Sequence, residues 1–206
     1  MRSIFDVRAL LQLPWVYIFF SCAVGQGYAR QVYVRDYIRP SPGDRILDIG
    51  CGTADILEYL PAAEYVGFDR DAAYIQQAQK RFGNRGTFFQ ATVKEWSRKG
   101  KEQEFDIVMA IGVIHHLPEE EVLELLQVAR NSLRRPKGRF IAVDPGYTAG
   151  QSPLERFLLS CDRGEYVRDI ESYKQLLRSK FEKVKVDIRP HLLRIPYTLF
   201  LAECSI

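Results

Sequence analysis

At 206 residues and 47% apolar, the chain is long enough to fill one core and short for two domains. A net charge of +3, with its basic residues scattered and no long run, gives no ground for a nucleic-acid partner. Four cysteines (Cys22, Cys51, Cys161, Cys204) stand far apart without a C-x-x-C pair, which argues against a zinc site or disulfide framework and fits a reducing, cytoplasmic compartment.

Ala9 to Gly25 is almost wholly apolar, interrupted by Gln12 and Ser21. It falls short of the roughly 20 residues of a spanning helix, and Pro14 sits inside it. Asp6 spoils the basic region of a signal peptide, and no A-x-A site follows. We read a short helix, Trp15 to Val24, packed on the domain without stable membrane insertion. After a break at Gly25 to Gly27, Tyr28 to Ile38 form a second helix, with Val32 and Val34 to Tyr37 on its apolar side, ended by the prolines of Arg39 to Gly43. Residues 1–38 thus read as a helical cover on a single domain spanning 1–206.

From Arg45 strands and helices alternate, the signature of a parallel sheet. A buried strand (Ile46, Leu47, Ile49) runs into Gly50 and Gly52 and then a helix from Thr53 to about Leu60, stopped by Pro61. Tyr65 to Phe68 is the second strand. Asp71 caps a helix with Ile75, Ala78 and Phe82 inside, ended by Gly83. Thr87 to Ala91 is the third strand, Val93 to Arg98 a short helix or loop, and Phe105 to Ile111 the fourth strand. Pro118 and the glutamates after it open a helix whose Val122, Leu125, Leu126, Ala129 and Leu133 recur at helical spacing. Arg139 to Asp144 is the fifth strand. Residues 145–168 leave the alternation and read as a lid-like insertion. Ile170 to Leu177 is a helix, and Lys183 to Ile188 and Thr198 to Glu203 are the last strands, joined by His191 to Tyr197.

The chemistry gathers at the first glycine turn. Glycine serves where a backbone turns sharply and a ligand approaches closely. A dinucleotide fingerprint reads G-x-G-x-x-G, but Gly50-Cys51-Gly52-Thr53-Ala54-Asp55 lacks the last glycine. Asp48, two residues before the turn, would repel a pyrophosphate and suits an ammonium. S-adenosylmethionine carries an ammonium, a sulfonium and no phosphate. Asp69 closes the run Tyr65-Val66-Gly67-Phe68, where an acid can accept both ribose hydroxyls.

The stretches D-I-G-C-G-T-A, V-G-F-D and F-D-I-V-M-A-I-G-V-I-H-H-L resemble the motifs of class I S-adenosylmethionine-dependent methyltransferases, over Pro42 to Asp144. Within that superfamily the chain looks most like the small single-domain enzymes that methylate small molecules. The resemblance implies an α/β, Rossmann-like, mostly parallel seven-stranded sheet with an antiparallel last strand and helices on both faces. It places Asp48 and the Gly50, Cys51 and Gly52 backbone around the methionine part of the cofactor. Asp69 matches the ribose acid, and Arg70 could lie against the adenine. Thr92 falls where the family often has an acid toward the adenine amino group, beside the Val93 backbone. Ile111 ends the strand that borders the site.

Methyl transfer rests on alignment and exclusion of water, with a base only where the acceptor holds its proton. His115 and His116 follow the fourth strand. Asp144, ending its expected neighbour, could orient one of them; His115 is favoured as the histidine facing the acceptor. Packing and helix-start roles compete for both histidines, and capping competes for Asp144. Trp15, Tyr17, Tyr28, Tyr147 and Tyr197 could wall an acceptor pocket, against core packing for each taken singly. Arg163 and Arg168 could hold an acidic or hydroxylated acceptor, against a surface ion-pair cluster. No metal is expected.

The function expected is transfer of the sulfonium methyl to an O or N atom of a small molecule, by a monomer or homodimer. A protein or RNA methyltransferase is the alternative; Ala110-Ile111-Gly112-Val113 is not the N-P-P-Y of amide and base N-methylation. A domain that binds S-adenosylmethionine without transferring methyl is another.

Overall fold

A strand that is apolar on both faces must be covered on both faces, and that requirement sets the architecture. In the computed structural model, which describes residues 25–98 and 104–206, the elements follow in chain order. Helix α1 (Gln26–Val32) runs into a π-helical turn (Tyr33–Ile38). Strand β1 (Arg45–Ile49) is followed by a 3-10 turn (Asp55–Glu58) and strand β2 (Glu64–Asp69). Helix α2 (Ala72–Phe82), strand β3 (Gly86–Gln90), helix α3 (Val93–Arg98) and strand β4 (Ile107–Ile111) come next. A 3-10 turn (Ile114–His116) precedes helix α4 (Glu119–Ser132) and strand β5 (Arg139–Tyr147). The chain closes with helix α5 (Pro153–Ser160), strand β6 (Arg168–Asp169), helix α6 (Ile170–Arg178) and strands β7 (Lys183–Arg189) and β8 (Leu199–Ser205).

The sheet order is β3-β2-β1-β4-β5-β8-β7, with β6 beside β5. Pairs from β3 to β5 are parallel, and β8 lies antiparallel to both β5 and β7. This is the expected mostly parallel sheet with an antiparallel last strand. Alternate residues of β1 enter two cores. Leu47 and Ile49 pack on the face that holds α4 and α6, and Ile46 packs on the face that holds α1 and α2. In α4, Val122, Leu125, Leu126 and Ala129 are completely buried, as their spacing requires, each leucine contributing roughly 2 kcal/mol. The order reverses between β1 and β4, which opens a crevice at their carboxyl ends.

Two expectations are corrected. The helix expected from Thr53 to Leu60 is only the 3-10 turn at Asp55–Glu58. Gly50, Gly52 and Ala54 all hold left-handed backbone (φ 70, 54 and 56), so no helix can start before Asp55, and Pro61 ends the segment. The fifth strand does not stop at Asp144: β5 continues to Tyr147, and within the insertion expected at 145–168 helix α5 follows, capped by Ser152. The expected helix Trp15 to Val24 and Cys22 lie outside the described residues. Cys51, Cys161 and Cys204 are free thiols. Among the described residues no helix is long and apolar enough to cross a membrane.

Candidate functional site

At the β1 end of the crevice the backbone does most of the work. The N–H groups of Gly50 and Cys51 both donate to the Phe68 carbonyl, at 2.8 and 3.0 Å, and tie the turn to β2. Asp69 braces it from the side: Oδ2 accepts the Gly52 N–H at 3.0 Å and Oδ1 accepts the Asp71 N–H at 2.8 Å. Asp71 itself caps α2 through the N–H groups of Ala73 and Tyr74. A Cβ on Gly50 would come within 2.7 Å of Val113 Cγ2, so glycine is needed where the turn meets the segment after β4. Gly52 faces open space. Without a following α-helix, the turn lacks the aligned dipole of a pyrophosphate site.

Asp48 is only 4% exposed and accepts the Tyr65 hydroxyl on Oδ2 at 2.6 Å. Burial raises its pKa to about 7, against the opposing pull of that hydrogen bond. Arg70 is exposed beyond β2, and Ile111 is half-buried at the end of β4. Thr92 does something else than the resemblance implied. Its N–H and hydroxyl donate to Glu95 Oε2 at 2.8 and 2.9 Å, and its Oγ1 accepts the Glu95 N–H at 3.2 Å. That reciprocal box starts α3, and T-V-K-E is its sequence signature. Val93 begins the helix, half-buried.

Beyond β4 and β5 the side chains dominate. Asp144, 0% exposed, accepts from His115 at both its N–H (3.1 Å) and its Nδ1 (2.6 Å). His115 Nε2 faces Asp162 Oδ1 at 3.2 Å. With a carboxylate at each ring nitrogen the imidazole is a doubly donating cation. Burial pushes its pKa down, but the bonds to Asp144 and Asp162 outweigh burial and bring it to about 9. Asp162 is held well below the usual carboxylate range, where His115 and the Tyr197 hydroxyl (2.5 Å) outweigh its burial. Burial raises Asp144, with His115 pulling the other way. Asp144 Oδ2 is buried without a partner among the described residues. His116 packs against His115, ring centroids 4.0 Å apart, and is pushed down to about 4 by burial and by that neighbouring charge.

The segment carrying Asp162 is fastened over this turn. The Tyr166 N–H donates to the His115 carbonyl at 2.9 Å. Arg168 donates to the carbonyls of Ile114 (3.1 Å) and Leu117 (2.7 Å). Gly164 lies so close on the His115 ring that a Cβ there would overlap it. Two expectations therefore change. His115 does not offer a free ring nitrogen in this arrangement, and Arg168 is a clamp on main-chain carbonyls. Asp162 is the second acid on the His115 ring. Its Asx-turn with Gly164 was legible in D-R-G, but its reach to His115 was not. Arg163 is half-buried beside it.

The expected aromatic wall is dispersed. Tyr147 lies under the Arg156 guanidinium (5.2 Å) and lines a surface cavity with Thr148, Ile170 and Lys174. Tyr197 holds Asp162, and Tyr28 is 58% exposed. Trp15 and Tyr17 lie outside the described residues.

Residues 46–138 match the family model described as a methyltransferase domain. That match spans just under half of the chain and holds the stretches by which it resembles the class I S-adenosylmethionine-dependent methyltransferases. Over 102 residues it is 35% identical to the ubiquinone biosynthesis O-methyltransferase of Azorhizobium caulinodans, covering 44% of this chain and 40% of that protein. The chain thus spans well under two thirds of that relative's length. An S-adenosylmethionine-dependent methyltransferase from Archaeoglobus fulgidus superposes with a TM-score of 0.71 at 18% identity, covering 92% of this chain and 99% of that one. The plantazolicin methyltransferase BpumL, solved with a triazolic desmethylPZN analog and SAH, superposes with a TM-score of 0.66 at 18% identity, covering 97% and 96%. At these identities the structural likeness is one of fold. The cradle suits the superfamily's cofactor: two acids flank an open glycine turn, and no basic side chain bonds to that turn among the described residues.

Proposed function

We propose that this methyltransferase-family chain transfers the methyl of S-adenosylmethionine to an O or N atom of a small molecule. The observation that carries the reading is the pair Asp48 and Asp69 framing an open glycine turn at the carboxyl ends of β1 and β2. When bound, S-adenosylmethionine supplies an electrophilic methyl on a sulfonium. Asp48 receives the ammonium end, Asp69 accepts from the ribose hydroxyls with the lone pairs left by Gly52 and Asp71, and Arg70, Val93 and Ile111 border the adenine and the sulfur. His116 is uncharged at neutral pH, so its ring can take the acceptor's proton if the acceptor is an alcohol. His115, held as a cation by Asp144 and Asp162, fixes His116 beside it and the segment above it. The segment from 145 to 168 covers the acceptor side and excludes water. The O-methyltransferase relative and the modest charge favour a small acceptor over protein or RNA.

The test is incubation of the protein with methyl-labelled S-adenosylmethionine and a host extract divided into small molecules, protein and RNA. Label in the small-molecule fraction is the expected result. Label confined to protein or RNA would replace the acceptor class. Binding without label in any fraction would favour a domain that does not transfer.

A further inference from the structure

Tyr65 sits in β2 one strand away from Asp48, and its ring is given room by two glycines, Gly67 inside β2, where glycine is otherwise unfavourable, and Gly86 at the start of β3. A Cβ on Gly86, its register partner in β3, would lie 2.8 Å from Tyr65 Cδ1. A Cβ on Gly67 would lie 3.0 Å from Tyr65 Cε1 and 2.8 Å from Cys51 Sγ. The ring therefore lies across the sheet toward β1 and ends in the 2.6 Å hydrogen bond to Asp48 Oδ2. Tyr65 is 2% exposed and Asp48 4%, so no solvent competes at that oxygen. Asp48 Oδ1 has no hydrogen-bond partner among the described residues.

We propose that Tyr65 is a positioning residue of the cofactor site, holding the Asp48 carboxyl by one oxygen so that the other meets the ligand's ammonium. The proposal rests on the cofactor reading above and adds a residue to it. The phenol supplies one strong donor in a dry setting, and two strand glycines keep it there. The titratable groups acting on Asp48 are Tyr65 and Asp69 of β2; the Cys51 thiol of the turn lies alongside. No cation among them holds the carboxyl ionised. Burial makes the free carboxyl titrate at about 7, and an arriving ammonium favours its charged form. Binding thus releases a proton at and below neutral pH, and affinity rises with pH until the free carboxyl is ionised. Removing the phenol hydroxyl moves that rise to higher pH.

The experiment is titration calorimetry with S-adenosylhomocysteine from about pH 6 to about pH 8.5, in buffers of low and high ionisation enthalpy. Wild type, Tyr65→Phe, Asp48→Asn and Asp69→Ala are compared, with thermal unfolding alongside. The ligand's own ammonium titrates alike in all four, so differences report the protein. Tyr65→Phe keeps the ring against Phe88; we expect it to bind roughly tenfold more weakly at pH 7, with the affinity rise displaced upward. Asp48→Asn keeps an acceptor for the phenol but cannot ionise, so it should bind weakly with a flat profile. Wild-type affinity and profile in Tyr65→Phe, with Asp69→Ala still weak, overturns the role of Tyr65 and leaves the cofactor reading standing. No binding by wild type overturns both. Should Tyr65→Phe fail to fold, Asp48→Asn decides, since a wild-type pH profile there overturns the proposal.

Discussion

On the β1–β2 side of the crevice, the groups facing the opening are main-chain atoms of a glycine turn and two acids held one step back by Tyr65, Gly52 and Asp71. On the β4–β5 side, His115, Asp144, Asp162, Tyr197 and Arg168 are bonded to one another or to nearby carbonyls. The first region is open and preformed. The second is closed on itself. A site for a constant ligand can be built from backbone and left ready, whereas a side that meets a variable acceptor is shaped by side chains and by the segment laid over them. The contrast also assigns costs: disturbing the first region should be felt in cofactor affinity, and disturbing the second in stability.

The largest effect should come from His115→Ala. It leaves the fully buried Asp144 without its cation, and we expect a loss of roughly 3 to 5 kcal/mol in denaturant unfolding. A loss below about 1 kcal/mol would mean that the clamp is not ionic. Next is Asp69→Ala, expected to weaken cofactor binding roughly a hundredfold in calorimetry through lost charged hydrogen bonds. Unchanged affinity would remove the ribose assignment and with it the contrast between the two sides.

The pH dependence of stability separates the regions more finely. His115 titrates at about 9 when folded, above its ordinary value of 6.5. Its contribution is therefore complete below about pH 6.5 and is lost as pH rises through about 9. Wild-type stability should fall by on the order of 2 kcal/mol between about pH 7 and about pH 10, and His115→Gln should lack that fall. Parallel profiles for the two proteins would place the charge elsewhere. The smallest effect is Tyr197→Phe, which removes one hydrogen bond from Asp162 and should cost about 1 kcal/mol in thermal unfolding without altering cofactor affinity. A drop in cofactor affinity would show that the two sides are coupled.

Much of the first region could be read directly from the chain. Asp48, Gly50, Gly52 and Asp69 are close in sequence, and their roles depend on one strand-turn unit and the strand beside it. The Asp71 cap and the buried stripe of α4 were equally local, since capping and helical spacing act within a turn or two. The Thr92–Glu95 box was just as local and was obscured by the resemblance, which assigned Thr92 to the adenine. The short 3-10 turn after Ala54 escaped because a left-handed alanine has no sequence signature comparable to glycine's.

The succession of strands and helices along the chain, the glycine turn and the acids at the ends of β1 and β2 follow from the sequence itself, because alternation, punctuation and charge at neighbouring positions are local quantities. What tertiary structure alone decided is who meets whom across long separations. Asp162 reaches His115 across 47 positions and Tyr197 reaches Asp162 across 35. Tyr65 reaches Asp48 because glycines on two strands leave its ring a path. Such contacts depend on how strands register and how a segment folds back, and only packing the whole chain determines either.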